Sequence, residues 1–158
     1  MFTDYEYEAL GVPRNPAIAA DADPHYFDLG ICGPMRDDVY ARQAANCGLF
    51  KTPTLRNVAT RHVFFHNGVY TSLKDVVRFY VLRETEPEKI YPRGPDGRVK
   101  IYNDLPPQYR KNVDRIDAPF DRKRGDKPAL DDAEIADMVA FLETLTDGYP
   151  ALARQMRP

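Results

Sequence analysis

Fourteen prolines in 158 residues leave little uninterrupted chain for regular structure. Proline has no backbone N–H to donate, and it biases the residue before it away from helix. Two windows hold a clear helical period between these breaks. In the first, Leu73, Val76, Val77 and Tyr80 recur at i, i+3, i+4 and i+7, which places them on one helical face. Ser72 is the expected N-cap, with Asp75 three residues on as a shortened capping-box partner. The period points Tyr80 inward. In the second, Asp131 and Glu134 make the N-terminal signal, Ile135, Met138, Val139 and Leu142 mark the buried face, and Gly148 ends the segment. The expectation is a mostly α domain of few elements joined by long, well-defined loops.

The rest of the chain reads as connections. Residues 1–34, broken by Pro13, Pro16, Pro24 and Pro34, keep no period. Residues 35–46 predict a short helix with Gly48 just past its end. Residues 49–59 read as extended or mixed, because Pro53 disfavours helix before it. Residues 86–128, rich in Pro, Gly and charge, read as a loop-rich insertion with a short hairpin at Arg93–Tyr102 turned by Asp96-Gly97; loops of this length are either functional or mobile. The tail after Pro150 is expected to pack loosely. The whole, 1–158, is read as one domain.

Composition narrows the function. A net charge of −2 and an isoelectric point near 5.9 make no electrostatic case for nucleic acid or an anionic membrane. No apolar run approaches the roughly 18 residues of a spanning helix. MFTDYEYEAL has neither the basic nor the apolar region of a secretory signal. There is no Trp, but ten Tyr and eight Phe supply aromatic bulk. No Ser-His-Asp order, phosphate loop or pair of catalytic carboxylates stands out, and Asp37-Asp38 and Asp131-Asp132 read as solvated helix starts. Cys32 and Cys47 either form a disulfide or stay two buried thiols. Their spacing is too wide for a Cys-x-x-Cys motif, and a zinc site with His25, His62 and His66 would need a tertiary accident.

The most informative stretch is 49–80. It holds TPTLRNVA at 52–59, then Phe64-Phe65-His66-Asn67-Gly68, then the capped helix ending in Phe79-Tyr80. This order resembles the C-terminal haem domain of the bacterial dihaem cytochrome c peroxidase and MauG-like family. Phe2-Thr3-Asp4 and Leu10-Gly11-Val12-Pro13 are similar to the segment that follows the haem-attachment motif there, and 128–147 to that domain's last, scaffolding helix. The resemblance runs from Phe2 to about Asp147 and is weakest over 86–128. No Cys-x-x-Cys-His occurs in the sequence. What the resemblance implies is a mostly α, cytochrome c-like haem domain with long irregular loops, cut off just after that motif.

It also implies roles, each beside a plainer reading. Tyr80 stands where peroxidase members place the methionine ligand of haem iron, and a tyrosine there resembles MauG-like members. An anionic oxygen ligand favours the oxidised metal, whereas methionine raises the potential. The plainer Tyr80 is a core tyrosine with its hydroxyl at the rim. His66 either lies near a haem edge, in electron or proton traffic, or packs on aromatic rings with a ring nitrogen bonded to backbone. Arg56 either serves buried carbonyls or a haem propionate, or pins loops. His25 and His62 read as surface residues. Met35, Met138 and Met156 match no axial position. Haem c is the implied cofactor. Arg61-His62-Val63 lacks the family's frequent Thr-x-Pro, which leaves calcium doubtful. The intact protein is expected to be periplasmic and to carry a further, N-terminal haem domain. It would take electrons from a small redox protein and either reduce hydrogen peroxide or oxidise a partner protein. The chain alone is expected to be inactive and marginally stable. The rival reading is a haem-free cytochrome c-like module that binds a partner through 86–128; a monohaem electron carrier is the third.

Overall fold

Two α-helices form where the apolar period is sustained: α1 over Leu73–Leu82 and α2 over Asp132–Thr144. The computed structural model describes residues 2–34 and 36–148; the tail after Pro150, Met35 and Met156 lie outside these. The N-terminus of α2 is a complete capping box. Asp131 Oδ1 accepts from the N–H of Ala133 and Glu134, both at 2.9 Å, and Glu134 Oε2 accepts from the Asp131 N–H at 2.8 Å. The box expected at Ser72 and Asp75 does not form, because the Ser72 hydroxyl makes no capping bond. Asp75 is also one methylene shorter than the Glu that reaches back to an N-cap.

The helices pack on each other around Val58, Phe64, Val77, Val81, Leu82, Ile135 and Leu142. The apolar face of α2 is narrower than expected: Met138 is 39% exposed. Ile135, Val139 and Leu142 lie within a narrow arc of the helical wheel, and Met138 sits on its flank. Helix of all kinds covers 29% of the described residues, so the α character rests on these two elements.

Around them the chain is held by short devices. Strands β1 (Tyr7–Glu8) and β2 (Phe50–Lys51) pair antiparallel, Tyr7 opposite Lys51 and Glu8 opposite Phe50. Residues 36–46 contain no α-helix, against the expected helix over 35–46. Asp38 Oδ1 instead accepts from the N–H of Tyr40 and Ala41, a local turn that competes with helix. The one helical piece among 36–46 is the single 3-10 segment Ala44–Asn46. Cys32 and Cys47 are joined by a disulfide, Cα atoms 4.9 Å apart. A straight helix over 35–46 would be about 17 Å long, leaving only Gly33 and Pro34 between its start and Cys32 to close that bridge.

The segment 86–128 has irregular backbone with a buried aromatic interior. Arg93 bridges Val99, and the Asp96-Gly97 turn closes the small hairpin. Tyr91, Tyr102, Leu105 and Val113 form a second core cluster. Backbone bonds tie it back: Asp114 N–H to Ala9 and Gly125 N–H to Thr85.

Candidate functional site

Phe79 and Tyr80 occupy adjacent positions in the last turn of α1. Phe79 is wholly buried, 4.9 Å from Phe65 and 5.9 Å from Tyr70 between ring centres. Tyr80 faces the edge of the same cluster, half-buried, stacked on Phe120 at 5.5 Å and 6.0 Å from Phe65. Its hydroxyl makes no hydrogen bond among the described residues. Burial pushes its pKa up to about 12, the Arg83 charge opposing and Glu8 adding to the rise. Removing a phenolate from water is costly, so an anionic Tyr80 requires a cation beside it.

His66 belongs to a different knot. It follows Phe65, which is held at φ 64°, and precedes the tight turn closed by Gly68 at φ 62°. The ring turns inward, 15% exposed, and stacks on Phe50 at 3.6 Å and 6°. Its Nε2 lies 3.0 Å from Asp104 Oδ2, which also accepts from Asn67 Nδ2 at 2.8 Å. Asn67 Nδ2 donates to the Pro13 carbonyl and Arg14 stands 3.8 Å from Asp104 Oδ1. The partner is thus a carboxylate from the 86–128 segment, not backbone. His25 and His62 are exposed.

The densest polar group lies just past α1 and has no counterpart in the sequence reading. Arg83 is buried with its side chain fully covered. Its Nε donates to Glu84 Oε1 at 2.8 Å, its Nη1 to the Leu10 carbonyl at 2.8 Å, and its Nη2 to the Asp114 carbonyl. The guanidinium lies 3.5 Å over the Phe120 ring and 5.7 Å from that of Tyr102. Tyr102 Oη donates to the same Glu84 Oε1 at 2.6 Å, and Tyr91 Oη to the Gly11 carbonyl. A sequence signal existed only in outline: charge, aromatics and glycine recur in this region, but their pairing crosses up to 80 residues.

Arg56 stands apart from these groups. Its fork grips the Asp147 carboxylate at 2.7 to 3.1 Å, with both side chains more than half exposed. Asn57, in the left-handed region at φ 60°, donates from Nδ2 to the same carboxylate and from its N–H to Leu145. The pair staples the 52–60 loop to the end of α2. It holds the Asp147 carboxyl below the usual range, first through the Arg56 bond and then through Asn57.

The groups a haem would need are met in part. Tyr80 offers an oxygen with no hydrogen-bond partner among the described residues, set in an aromatic wall. The cavity beside His66, lined by Glu8, Leu10, Phe65 and Asp104, holds only about 30 Å³, far below a porphyrin. A larger open groove, about 840 Å³, runs along Phe2, Tyr5, Thr52, Pro53 and Arg56. Both cysteines are in the disulfide, so neither offers a thiol. Among the described residues no three His, Cys, Asp or Glu side chains gather to hold a metal ion, and no helix is long and apolar enough to cross a membrane.

No protein-family model matches the sequence. The chain is 32% identical over 163 aligned positions to the methylamine utilization protein MauG of Paracoccus denitrificans, covering 99% of this chain and 38% of that one. It is 30% identical over 110 positions to a cytochrome-c peroxidase of Denitromonas iodatirespirans, covering 62% of this chain and 30% of that one. Two crystal structures of the diheme peroxidase BthA from Burkholderia thailandensis superpose on it. The unsubstituted protein does so with a TM-score of 0.77 at 42% identity, over 90% of this chain and 33% of that one. A tyrosine-to-methionine variant does so at 0.79 and 40%, over 92% of this chain and 34% of that one. Sequence and fold together make the chain a relative of the dihaem cytochrome c peroxidase and MauG-like family, corresponding to about a third of the length of those proteins.

Proposed function

We propose that the chain is the C-terminal haem-domain portion of a MauG-like dihaem oxidoreductase, with Tyr80 as the oxygen ligand of haem iron. The observation that carries this is Tyr80 itself. It has a half-buried phenol without a hydrogen-bond partner among the described residues, set in the wall formed by Phe65, Phe79 and Phe120, in the last turn of the helix where the family resemblance places the axial ligand. A bound haem would supply one-electron redox chemistry and the cation that stabilises the phenolate. The chain's own residues do the positioning. Phe79 anchors the end of α1 in the core, Phe120 fixes the Tyr80 ring from one face, and the aromatic wall excludes water from the oxygen. His66, bound to Asp104 and stacked on Phe50, fixes the fold next to that wall, and Arg56 pins the 52–60 loop to α2.

On this reading the haem is of the c type, attached through residues the chain does not contain. The whole protein would work in the periplasm, which suits a disulfide. A second haem domain, a small redox protein as electron donor, and hydrogen peroxide or a partner protein as substrate complete it. The chain alone would not turn over. The test is to add ferric haem to the purified chain and follow its absorption and electron paramagnetic resonance spectra. The phenolate-to-iron charge-transfer signature should appear with the wild type, vanish in Tyr80→Phe and give way to a thioether-ligated spectrum in Tyr80→Met. Identical spectra in all three would remove Tyr80 as the ligand. The small cavity favours a second reading, a haem-free partner-binding module, which no Soret shift at any haem concentration would support.

A further inference from the structure

We propose that Tyr102 and Glu84 form a proton-coupled one-electron site: Tyr102 loses an electron while its phenolic proton passes to Glu84. Among the described tyrosines, two hydroxyls make side-chain hydrogen bonds. Tyr91 donates to the Gly11 carbonyl, an amide oxygen that is a poor base. Tyr102 donates to a carboxylate, at 2.6 Å. The receiving oxygen is held in place on its other side by the buried Arg83 Nε at 2.8 Å, a charge-assisted bond that fixes where the acceptor lies.

The surroundings favour loss of the proton together with the electron. Guanidinium groups lie near the Tyr102 ring from Arg115, at 4.9 Å, and from Arg83, at 5.7 Å. Two cations oppose a positive charge on the ring, so a protonated radical cation is disfavoured and the neutral radical is not. The site is also built at a local cost. Tyr102 sits at φ 53°, a conformation that a bulky residue adopts only when its surroundings impose it. Gly11 makes room for the ring, since a Cβ there would lie 2.5 Å from Tyr102 Cδ1. Burial, and after it the Glu84 bond, push the Tyr102 pKa up to about 12, so the phenol stays protonated until it is oxidised.

The step balances as Tyr102–OH plus Glu84–COO⁻ plus a high-potential one-electron acceptor of the metal-complex class, a ruthenium(III) polypyridyl in the test below, giving the neutral Tyr102 radical, Glu84–COOH and the acceptor reduced by one electron. The Oη–H bond breaks, an Oε1–H bond forms, and reversal returns both particles. A route toward Tyr80 exists in contacts: Arg83 lies over Phe120, and Phe120 stacks on Tyr80. Coupling to a haem rests on the haem reading above; the proton chemistry of the pair does not.

The test therefore uses the chain without haem. A carboxylate-bearing ruthenium(III) polypyridyl oxidant is generated by a flash, its negative groups suited to the cleft lined by Arg93, Arg98 and Arg124. The tyrosyl radical is followed by transient absorption and freeze-quench paramagnetic resonance in a weakly basic buffer, where exposed tyrosines deprotonate slowly. Each variant is first shown to be folded by circular dichroism. The fast radical phase should be present in the wild type and in Tyr91→Phe and lost in Tyr102→Phe. In Glu84→Gln it should slow by about a hundredfold, the loss of a positioned base, and become dependent on buffer base. A fast phase that survives Tyr102→Phe overturns the proposal, as does a rate unchanged in Glu84→Gln or the absence of any fast phase in the wild type. Haem titration of Tyr80→Phe is read separately, so loss of one reading leaves the other standing.

Discussion

Replacing Arg83 by Met tests whether the loop segment and the helices are one cooperative unit. Met keeps much of the aliphatic volume and removes the guanidinium. What loses its cationic donor is specific: the Glu84 carboxylate, which keeps only its Tyr102 bond, and the Leu10 and Asp114 carbonyls. Each buried acceptor left without a donor costs about 1–3 kcal/mol. Removing one partner of a buried pair typically costs about 3–5 kcal/mol. The stacking of Arg83 on Phe120 at 3.5 Å adds about 1 kcal/mol at a partly desolvated site. The expected total is about 4 kcal/mol, since overlapping terms do not add in full. Urea unfolding by far-UV circular dichroism reads it: with a slope of about 1–3 kcal/mol per M, the midpoint should fall by more than 1 M. The internal control is Arg56→Met, which breaks an ion pair more than half exposed on both sides and should cost less than about 1 kcal/mol. An Arg83→Met chain already unfolded in water agrees with the larger figure. Equal midpoints for the two variants would refute the reasoning, because they would mean the buried charge contributes no more than a solvated one.

Other consequences follow from single features. Reducing the Cys32–Cys47 bridge, whose ends are separated by 15 residues, should cost about 3 kcal/mol by the chain-entropy account, read as a fall in urea midpoint on adding reductant; an unchanged midpoint would show that the loop is held without it. Gly11→Ala should lower the melting temperature more than Gly97→Ala: both glycines have positive φ, but only the first would drive a Cβ into Tyr102. Glu8 has its pKa raised, first by burial and then by Asp114 and Asp117. A carboxyl raised in the folded state binds its proton more tightly there. Stability should therefore decline as pH rises through the window above 4.5, and Glu8→Gln should flatten that decline; an equally steep profile in the variant would exclude Glu8 as its source. Tyr70, Tyr80 and Tyr102, each pushed up to about 12 by burial, should titrate by ultraviolet absorption after the exposed tyrosines, which ionise near 10. Since the folded pKa exceeds the unfolded one, ionising them at high pH should also unfold the chain; a single transition near 10 would contradict their burial.

The sequence by itself determined what depends on neighbours along the chain. The Asp131–Glu134 box, the apolar arc Ile135–Val139–Leu142, the helix after Ser72 and the Asp96-Gly97 turn are local, and they stand in the structure at those positions. The family was legible for the same reason: TPTLRNVA and Phe64-Phe65-His66-Asn67-Gly68 are contiguous strings. Local signals misled where a longer-range constraint won. The helix written into 35–46 yields to the Asp38 turn and the bridge closing at Cys47, and Met138 lies outside the arc that α1 covers. The sites were decided by tertiary structure. His66 meets Asp104 across 38 residues, Tyr91 meets Gly11 across 80, and Arg56 meets Asp147 across 91. A pattern of polar residues does not state such pairings, because a buried charge or phenol is committed to whichever partner the closed chain brings within hydrogen-bond reach, and the cost of leaving it unpaired enforces that choice.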